Sequence, residues 1–263
     1  AVRLVASEAT IYRLMREAKQ NVRRERSRRP TSRPRATHVA RTPNQVWTWD
    51  ITYLRSPVRG VFYYLYLVED IYSRKIVAWA VHEQELAGLA AALMEQACID
   101  EGITPDQLVL HSDNGKPMKG STMRVTLERL GVAASYSRPS VSDDNAFVES
   151  LFRVVKYRPE YPSGPFASID AARIWVAAFV AWYNEVHLHG SIRYVTPSQR
   201  HEGSDVTRLA GRQRVYTQAR TRHPERWSRG IRNWTPIGHV TLNPTHVNPM
   251  PAAHRDNAAS ARA

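Results

Sequence analysis

Cysteine is almost missing from this chain: Cys98 is the one example in 263 residues. A disulfide within the chain is therefore excluded, and a reducing compartment is expected. Cys98 sits in an apolar helical pattern and reads as an inert core thiol. Long apolar runs are missing too. None approaches the roughly 18 residues that mark a membrane helix, and the N-terminus lacks the apolar segment of a signal peptide. No internal repeat is found. The chain starts at Ala1 instead of Met, which suggests a processed or truncated form. Acidic residues are in short supply, 24 Asp and Glu against 37 Lys and Arg.

That shortage is uneven. Residues 1–41 carry a net charge of +9, residues 42–199 of −3 and residues 200–263 of +7. A mildly acidic middle is bracketed by strongly basic ends. Basic arms suit a polyanion, and nucleic acid is the commonest one. An anionic membrane fits less well, because the arms are rich in Arg and lack a strong apolar face. Arg also matches phosphate in a bidentate manner that Lys does not. With 43% hydrophobic residues, the length allows one full α/β domain plus smaller attachments.

Residues 7–16 read as a short helix capped by Ser7, with Ile11, Leu14 and Met15 as its apolar stripe. Thr10, Arg13 and Arg16 point elsewhere and could meet DNA. The pattern resembles the recognition helix of a helix-turn-helix whose preceding helices are missing. Residues 21–41, rich in Arg, Pro and Ser and containing Arg23 and Arg24, read as a flexible basic linker. Residues 45–54, QVWTWDITYL, form a strand by β-branched and aromatic content, and 61–68 and 75–81 form two more, joined by a turn around Asp70. A helix at 85–101 follows, then a strand at 107–110, a helix at 121–130, a strand at 132–136, a helix starting near Asp143 and Asp144, and a long helix at 168–185. Residues 196–222 suggest short helices. Residues 223–243 mix Trp227 and Trp234 with arginines and suggest a small β-containing module. Residues 244–263, Pro- and Ala-rich, are expected to be disordered.

Asp50 stands mid-strand among bulky neighbours, where Asp is depleted. A partly buried carboxylate there needs a cation or donors. HSDNG at 111–115 puts Asp113 at the carboxyl end of a buried strand, and Asn-Gly is a turn signal. On the helix after Asp144, Phe147, Leu151, Val154 and Val155 share one face at 100° per residue, while Glu149, Arg153 and Lys156 share the opposite one. Three antiparallel strands, helix, strand, helix, strand, helix is the order of the ribonuclease H-like fold: an α/β mixed five-stranded sheet flanked by helices. Its first and fourth strands are neighbours, which would bring Asp50 and Asp113 together, with Glu149 facing both. Converging carboxylates repel one another unless cations neutralise them. Oxygen ligands select Mg²⁺ or Mn²⁺, and two such ions about 4 Å apart suit in-line displacement at phosphorus.

Thirty-five residues separate Asp113 from Glu149, and Lys156 follows Glu149 by seven. That spacing resembles DDE transposases and retroviral integrases. PNQVWTWDITYL, YLYLVEDIYSRKIVAW, LHSDNGKPMKG, SRPSVSDDNAFVESLFRVVKYRPEYP, AWYNEVHLHGSIRYVTPSQRH and HPERWSRGIRNWTPIGHVTLNP resemble the insertion-sequence-three family of transposases, over residues 7–248. The resemblance implies a bacterial enzyme that cuts and joins DNA at the ends of an insertion sequence. Asp50, Asp113 and Glu149 would be its catalytic triad and metal ligands, holding two Mg²⁺ or Mn²⁺ ions. Lys156, Arg153, Lys116 and Lys119 would hold DNA near the site, and Arg13, Arg16, Arg23 and Arg24 would do so in the arm. Its partners would be double-stranded DNA, both terminal inverted repeats and target, and further copies of the chain in a dimer or higher oligomer. It would lie in the cytoplasm at the nucleoid, with no membrane partner. The domains would be a basic arm at 1–41, an integrase-like core at 42–199, and a basic module with a tail at 200–263. Lys116 and Asp143 depart from the family pattern, and the missing first helices suggest part of a longer fusion.

Rival readings exist. Asp143 or Asp144 could replace Glu149, though capping explains them. Asp70 reads as a turn residue. His187 and His189 could look like a zinc pair, but a structural or DNA-contact role fits better. Tyr63, Tyr64, Tyr66, Tyr72 and Trp79 read as core, with no platform for stacking single strands. A DNA-binding repressor without catalysis, or a nuclease acting on RNA–DNA hybrids, are the alternative functions.

Overall fold

Ser7 opens the first helix, α1 (Glu8–Glu17), its hydroxyl accepting from the Thr10 N–H at 3.3 Å. This cap satisfies one of the donors a helix start leaves unpaired. The computed structural model describes residues 7–18, 34–138 and 142–244, and it divides into two units, 1–34 and 35–263. None of α1 is buried, and Ile11 and Leu14 are about half exposed.

The second unit begins with β1 (His38–Ala40) and then builds its sheet from β2 (Val46–Arg55), β3 (Phe62–Asp70) and β4 (Ile76–His82), an antiparallel meander. The chain then crosses through α2 (Ala87–Asp100) to β5 (Val109–Ser112), and through α3 (Lys116–Lys119) and α4 (Ser121–Leu130) to β6 (Ala133–Tyr136). The order across the sheet is β4-β3-β2-β5-β6, with β2, β5 and β6 parallel. The first and fourth strands of this sheet are thus neighbours, as the topology predicted. Helices α5 (Ala146–Tyr157) and α6 (Ile169–Glu185) follow, then α7 (Pro197–His201), α8 (Asp205–Arg222) and β7 (Val240–Leu242).

Alternation along β2 sends Trp47 and Trp49 to one face, against Ala91, Met94 and Cys98 of α2 and Leu127 of α4. Each buried indole is worth roughly 2–3 kcal/mol of transfer free energy. Leu54, with Leu65 and Leu67 of β3, faces the other way, against Leu151 and Val155 of α5 and Val176 and Phe179 of α6. Thr48, Asp50 and Thr52 belong to this second face by register, which is the face α5 covers. Cys98 is buried, and burial pushes its thiol up to about 11, as expected of a core residue.

The C-terminal stretch is less self-contained than the sequence suggested. Residues 205–222 form one long helix instead of several short ones. β7 pairs antiparallel with β1, not with a module of its own, and Leu242 packs with Ala40, Val46 and Ile71. Arg200, 1% exposed, donates to the carbonyls of Tyr72 and Ile237, and Trp234 packs with Ile192, Val195 and Leu209. The basic stretch after residue 200 is therefore part of the same packed unit as the sheet. Among the described residues no helix is long and apolar enough to cross a membrane.

Candidate active site

The register between β2 and β5 sets the geometry. Thr48 is level with His111, so Asp50 and Asp113 each stand two residues further along parallel neighbouring strands. Parallel strands rise together, so Asp50, in the middle of β2, is level with Asp113, just past the end of β5. Asp50 is half-buried, and its Oδ1 accepts from the Ile51 N–H at 2.7 Å. Burial pushes its carboxyl up to about 7; the Ile51 bond opposes this, while the charges of Asp113, Glu149 and Glu85 add to it. All three triad carboxylates expected from the sequence thus share one field.

Asp113 Oδ1 accepts from the Gly115 N–H at 2.8 Å, which fixes the turn after β5. A Cβ on Gly115 would stand 2.8 Å from Met118 Sδ and 3.0 Å from Asp113 Oδ1, so a side chain there would have to displace one of these two. Its φ of −58° means that the Asn-Gly pair does not make the left-handed turn its composition suggests.

Glu149 lies in the first turn of α5, half-buried, while Arg153 and Lys156 are exposed. Burial lowers the Lys156 ammonium, and Asp50's charge raises it. Lys156 and Asp50 thus feel each other's charge. Lys116 and Lys119 project from α3, with Lys119 Nζ 5.2 Å from the Tyr136 ring centre. Arg13 and Arg16 are exposed on α1 in the other unit, and Arg23 and Arg24 lie outside the described residues.

Asp144 does something other than capping. Helix α5 is preceded by a 3₁₀ turn, Ser142–Asn145, and no side chain caps it. The Asp144 carboxylate, 1% exposed, instead accepts from Arg138 Nε and Nη2 at 2.9 and 3.0 Å and pairs with Arg35 Nε at 2.8 Å. These arginines hold it at about 2, the Arg138 bond leading and burial opposing. Its carbonyl accepts from His111 Nε2 at 3.0 Å and from Asn243 Nδ2 at 2.8 Å. With its Nε2–H spent there, His111 uses Nδ1 to accept from the Ser135 hydroxyl at 2.9 Å. Burial leads the forces that lower His111 to about 4. The entrance to the Glu149 helix is thus tied to β5, to residue 35 and to the chain beyond β7. The side chain of Asp143 lies outside the described residues.

The other rivals have structural places. Asp70 Oδ1 accepts from the Ser73 N–H and hydroxyl, and Oδ2 from the Asn44 N–H, the expected turn role. His187 stacks on Tyr183 at 5.5 Å, and His189 Nδ1 accepts from the Ser191 N–H. One acidic residue was not singled out in the sequence: Glu85, in the loop before α2. No periodic pattern or spacing marks it; only the fold carries it toward Asp50.

Two family profiles described as integrase core domain match residues 40–142 and 130–197, together more than half of the chain. The chain belongs to the integrase-core family. Among its relatives, the transposase for insertion sequence element IS904 of Lactococcus lactis is 31% identical over 60% of this chain and 61% of its own length. Transposase InsF for insertion sequence IS3A of Escherichia coli K12 is 32% identical over 43% of this chain and 38% of its own. The chain thus spans less than two thirds of the curated relatives it matches. In fold it is similar to a chain of the simian T-cell lymphotropic virus intasome in complex with PP2A regulatory subunit B56 gamma. The TM-score there is 0.51 at 18% identity, over 67% of this chain and 61% of that one.

The integrase-core residues suit a divalent cation by the chemistry of their donors. Asp50, Asp113 and Glu149 offer carboxylate oxygens only, the ligands of hard ions. Burial first, and then the neighbouring acids, disfavour the charge of Asp50 and push its carboxyl up to about 7. Among the described residues no three such side chains are yet drawn together closely enough to hold one ion. The set therefore fits a cation electrostatically without being a finished cage.

Proposed function

We propose that this integrase-core chain cuts and joins DNA at the ends of a bacterial insertion sequence, as a transposase. Asp50, Asp113 and Glu149 are its catalytic residues. The observation that carries this reading is the shared field of these three carboxylates, from mid-β2, just past the end of β5 and the start of α5. The relatives' names supply the reaction class, and the basic composition supplies the polyanion.

The side chains that would hold a pair of Mg²⁺ or Mn²⁺ ions are the same three. Such a pair, when bound, supplies an acidified water or 3′-hydroxyl and charge stabilisation at the leaving oxygen. The rest falls to the chain's own groups. Lys156 sets a cation beside Asp50, where a phosphate can be held without crossing the whole acidic field. Arg153, on the same helix face, and Lys116 and Lys119, on the turn after Asp113, extend that positive rim. The buried Asp144 hub keeps α5 at its angle, so Glu149 is presented from a fixed element, not from a loose loop. No Ser or Tyr nucleophile is required. Arg13, Arg16, Arg23 and Arg24 belong to the arm that grips DNA. Double-stranded element ends and target DNA are the substrates, a dimer or higher oligomer is the working form, and the bacterial cytoplasm at the nucleoid is the compartment.

The test is nicking and strand transfer on DNA carrying the element's ends, with and without Mg²⁺. Cutting that needs the metal and vanishes in Asp50→Asn supports the proposal. Metal-independent binding with no cutting in any divalent ion would leave a DNA-binding protein without catalysis.

A further inference from the structure

The two edges of the sheet are finished differently. At β4, side chains of α6 close the edge. Asn184 accepts from the Ile76 N–H at 2.9 Å and donates to its carbonyl at 3.0 Å, and Arg173 Nε donates to the Val81 carbonyl at 3.2 Å. At β6 nothing does so among the described residues. The Ala133 and Ser137 N–H groups go to the carbonyls of Leu108 and Ser112, on the β5 side. Alternation therefore turns the N–H and C=O groups of Ala134 and Tyr136 outward. Ala133 and Ala134 are exposed, and the strand, AASY, carries neither the charge nor the proline that commonly guards a free edge. Between α4 and β6 lies a groove of about 590 Å³, lined by Val125, Val132, Ala134 and Tyr136. Val125 is 63% exposed there. Arg124 and Glu128, one turn apart on α4, line the same groove.

We propose that β6 and the groove beside it are an interface with a second copy of this chain, joined edge to edge about a two-fold axis. This goes beyond the proposed function, which calls for an oligomer without naming a face, and it does not depend on the reaction. An axis normal to the sheet sets β6 antiparallel to its own copy. The outward groups of Ala134 and Tyr136 then gain partners, and the small alanines allow the close approach. The same rotation sets α4 antiparallel to α4 across the groove. Each Val125 is screened from water, and Arg124 of one copy faces Glu128 of the other, twice over. The patch is thus complementary to itself in hydrogen bonding and in charge, which is what an isologous contact requires. DNA fits worse, because β6 offers no cation and Glu128 repels phosphate. A strand of another protein would fill the edge, but it would have to bring an acid and a base in matching order, which a second copy supplies by symmetry.

The experiment uses the full chain without DNA or metal, so it reads association whether or not the chain cuts DNA. Sedimentation equilibrium gives the dissociation constant, and circular dichroism checks that each variant is folded. Val125→Glu sets like charges against each other across the axis and should weaken association at least about tenfold. Arg124→Glu and Glu128→Arg should each weaken it as well. Mixed together, those two variants should associate again, because one then presents two acids and the other two bases. A chain carrying both changes should associate with itself as the unaltered chain does. If Val125→Glu does not fold, the two charge variants, both on an exposed helix face, decide alone. An unaltered chain that stays monomeric at every concentration would overturn the proposal. So would association that ignores all three substitutions, or a mixture of the charge variants no more associated than either alone. An associating chain that never cuts DNA would refute the transposase reading alone, and a cutting chain whose association ignores these residues would refute the interface alone.

Discussion

Glu69 is fully buried on β3, and burial, helped by the charge of Asp70 and opposed by Arg74, pushes it up to about 8. At neutral pH the folded chain therefore holds a proton there that the unfolded chain releases above about pH 4.5. Folding takes up that proton, so stability is highest in acid on this account and declines as pH rises toward 8, by up to about 1.4 kcal/mol per pH unit. Glu69→Gln should flatten this slope, and urea unfolding between pH 5 and 8.5 reads it; parallel slopes in both chains would mean Glu69 is ionised in the fold. At the proposed catalytic residues, Asp50→Asn, Asp113→Asn and Glu149→Gln each keep size and remove a carboxylate charge. Each should abolish strand transfer and leave DNA affinity nearly unchanged in a filter-binding assay. Near-normal Mg²⁺-dependent activity in any one would remove it from the ligand set. The sequence singles these three out because each is a charge in a place its element disfavours, or at a telling distance from another. Glu85 is not singled out, because a loop residue carries no such mark.

Helix α5 shows what periodicity can and cannot give. Leu151 and Val155 are buried as the stripe predicts, but Val148 is buried where Phe147 was expected, and Phe147 and Val154 lie half-buried at its flanks. The Phe147 ring instead packs against the cluster of Ala40, Val46, Ile71 and Leu242, with the Arg74 guanidinium 4.0 Å over it. The helix start was misread for a tertiary reason: the partners of Asp144 include Arg35, over a hundred residues away, and no local pattern can announce such a pair. Asp144→Asn strips a buried carboxylate from two partly exposed arginines. We expect a loss of about 2 kcal/mol at pH 7, below the value for a fully buried pair because the arginines stay wet. The depressed carboxyl contributes above its ordinary range near 3.8 and loses that contribution as pH falls through about 2. Denaturant melts of the two chains should therefore differ at pH 7 and converge toward pH 2. A constant gap would mean that the aspartate's charge is not what stabilises this turn.

The whole molecule was half legible. Strand order and the two-sided packing follow from element order and alternation, but the closure of β7 onto β1 joins three-residue strands some two hundred positions apart, too short to show a period. For the same reason a fragment ending at Gln199 is no test of the core. It would lose Arg200, Leu242 and Trp234, all buried. The unit boundary after Pro34 offers a cleaner cut. Residues 1–34 carry ten Lys and Arg against three acids. Deleting them should make the fall of log affinity with log salt shallower by several units, at about 0.9 per phosphate neutralised. An unchanged slope would place the phosphate contacts on Lys116, Lys119, Arg153 and Lys156. The most direct measurement of all is a crystal of the chain soaked in MnCl₂ and read by anomalous scattering. The triad reading predicts manganese density between the carboxylates of Asp50 and Asp113, with Glu149 turned toward it. An ordered α5 with the Glu149 carboxylate more than about 5 Å from that density, beyond two ligand lengths, or manganese bound elsewhere, would contradict it.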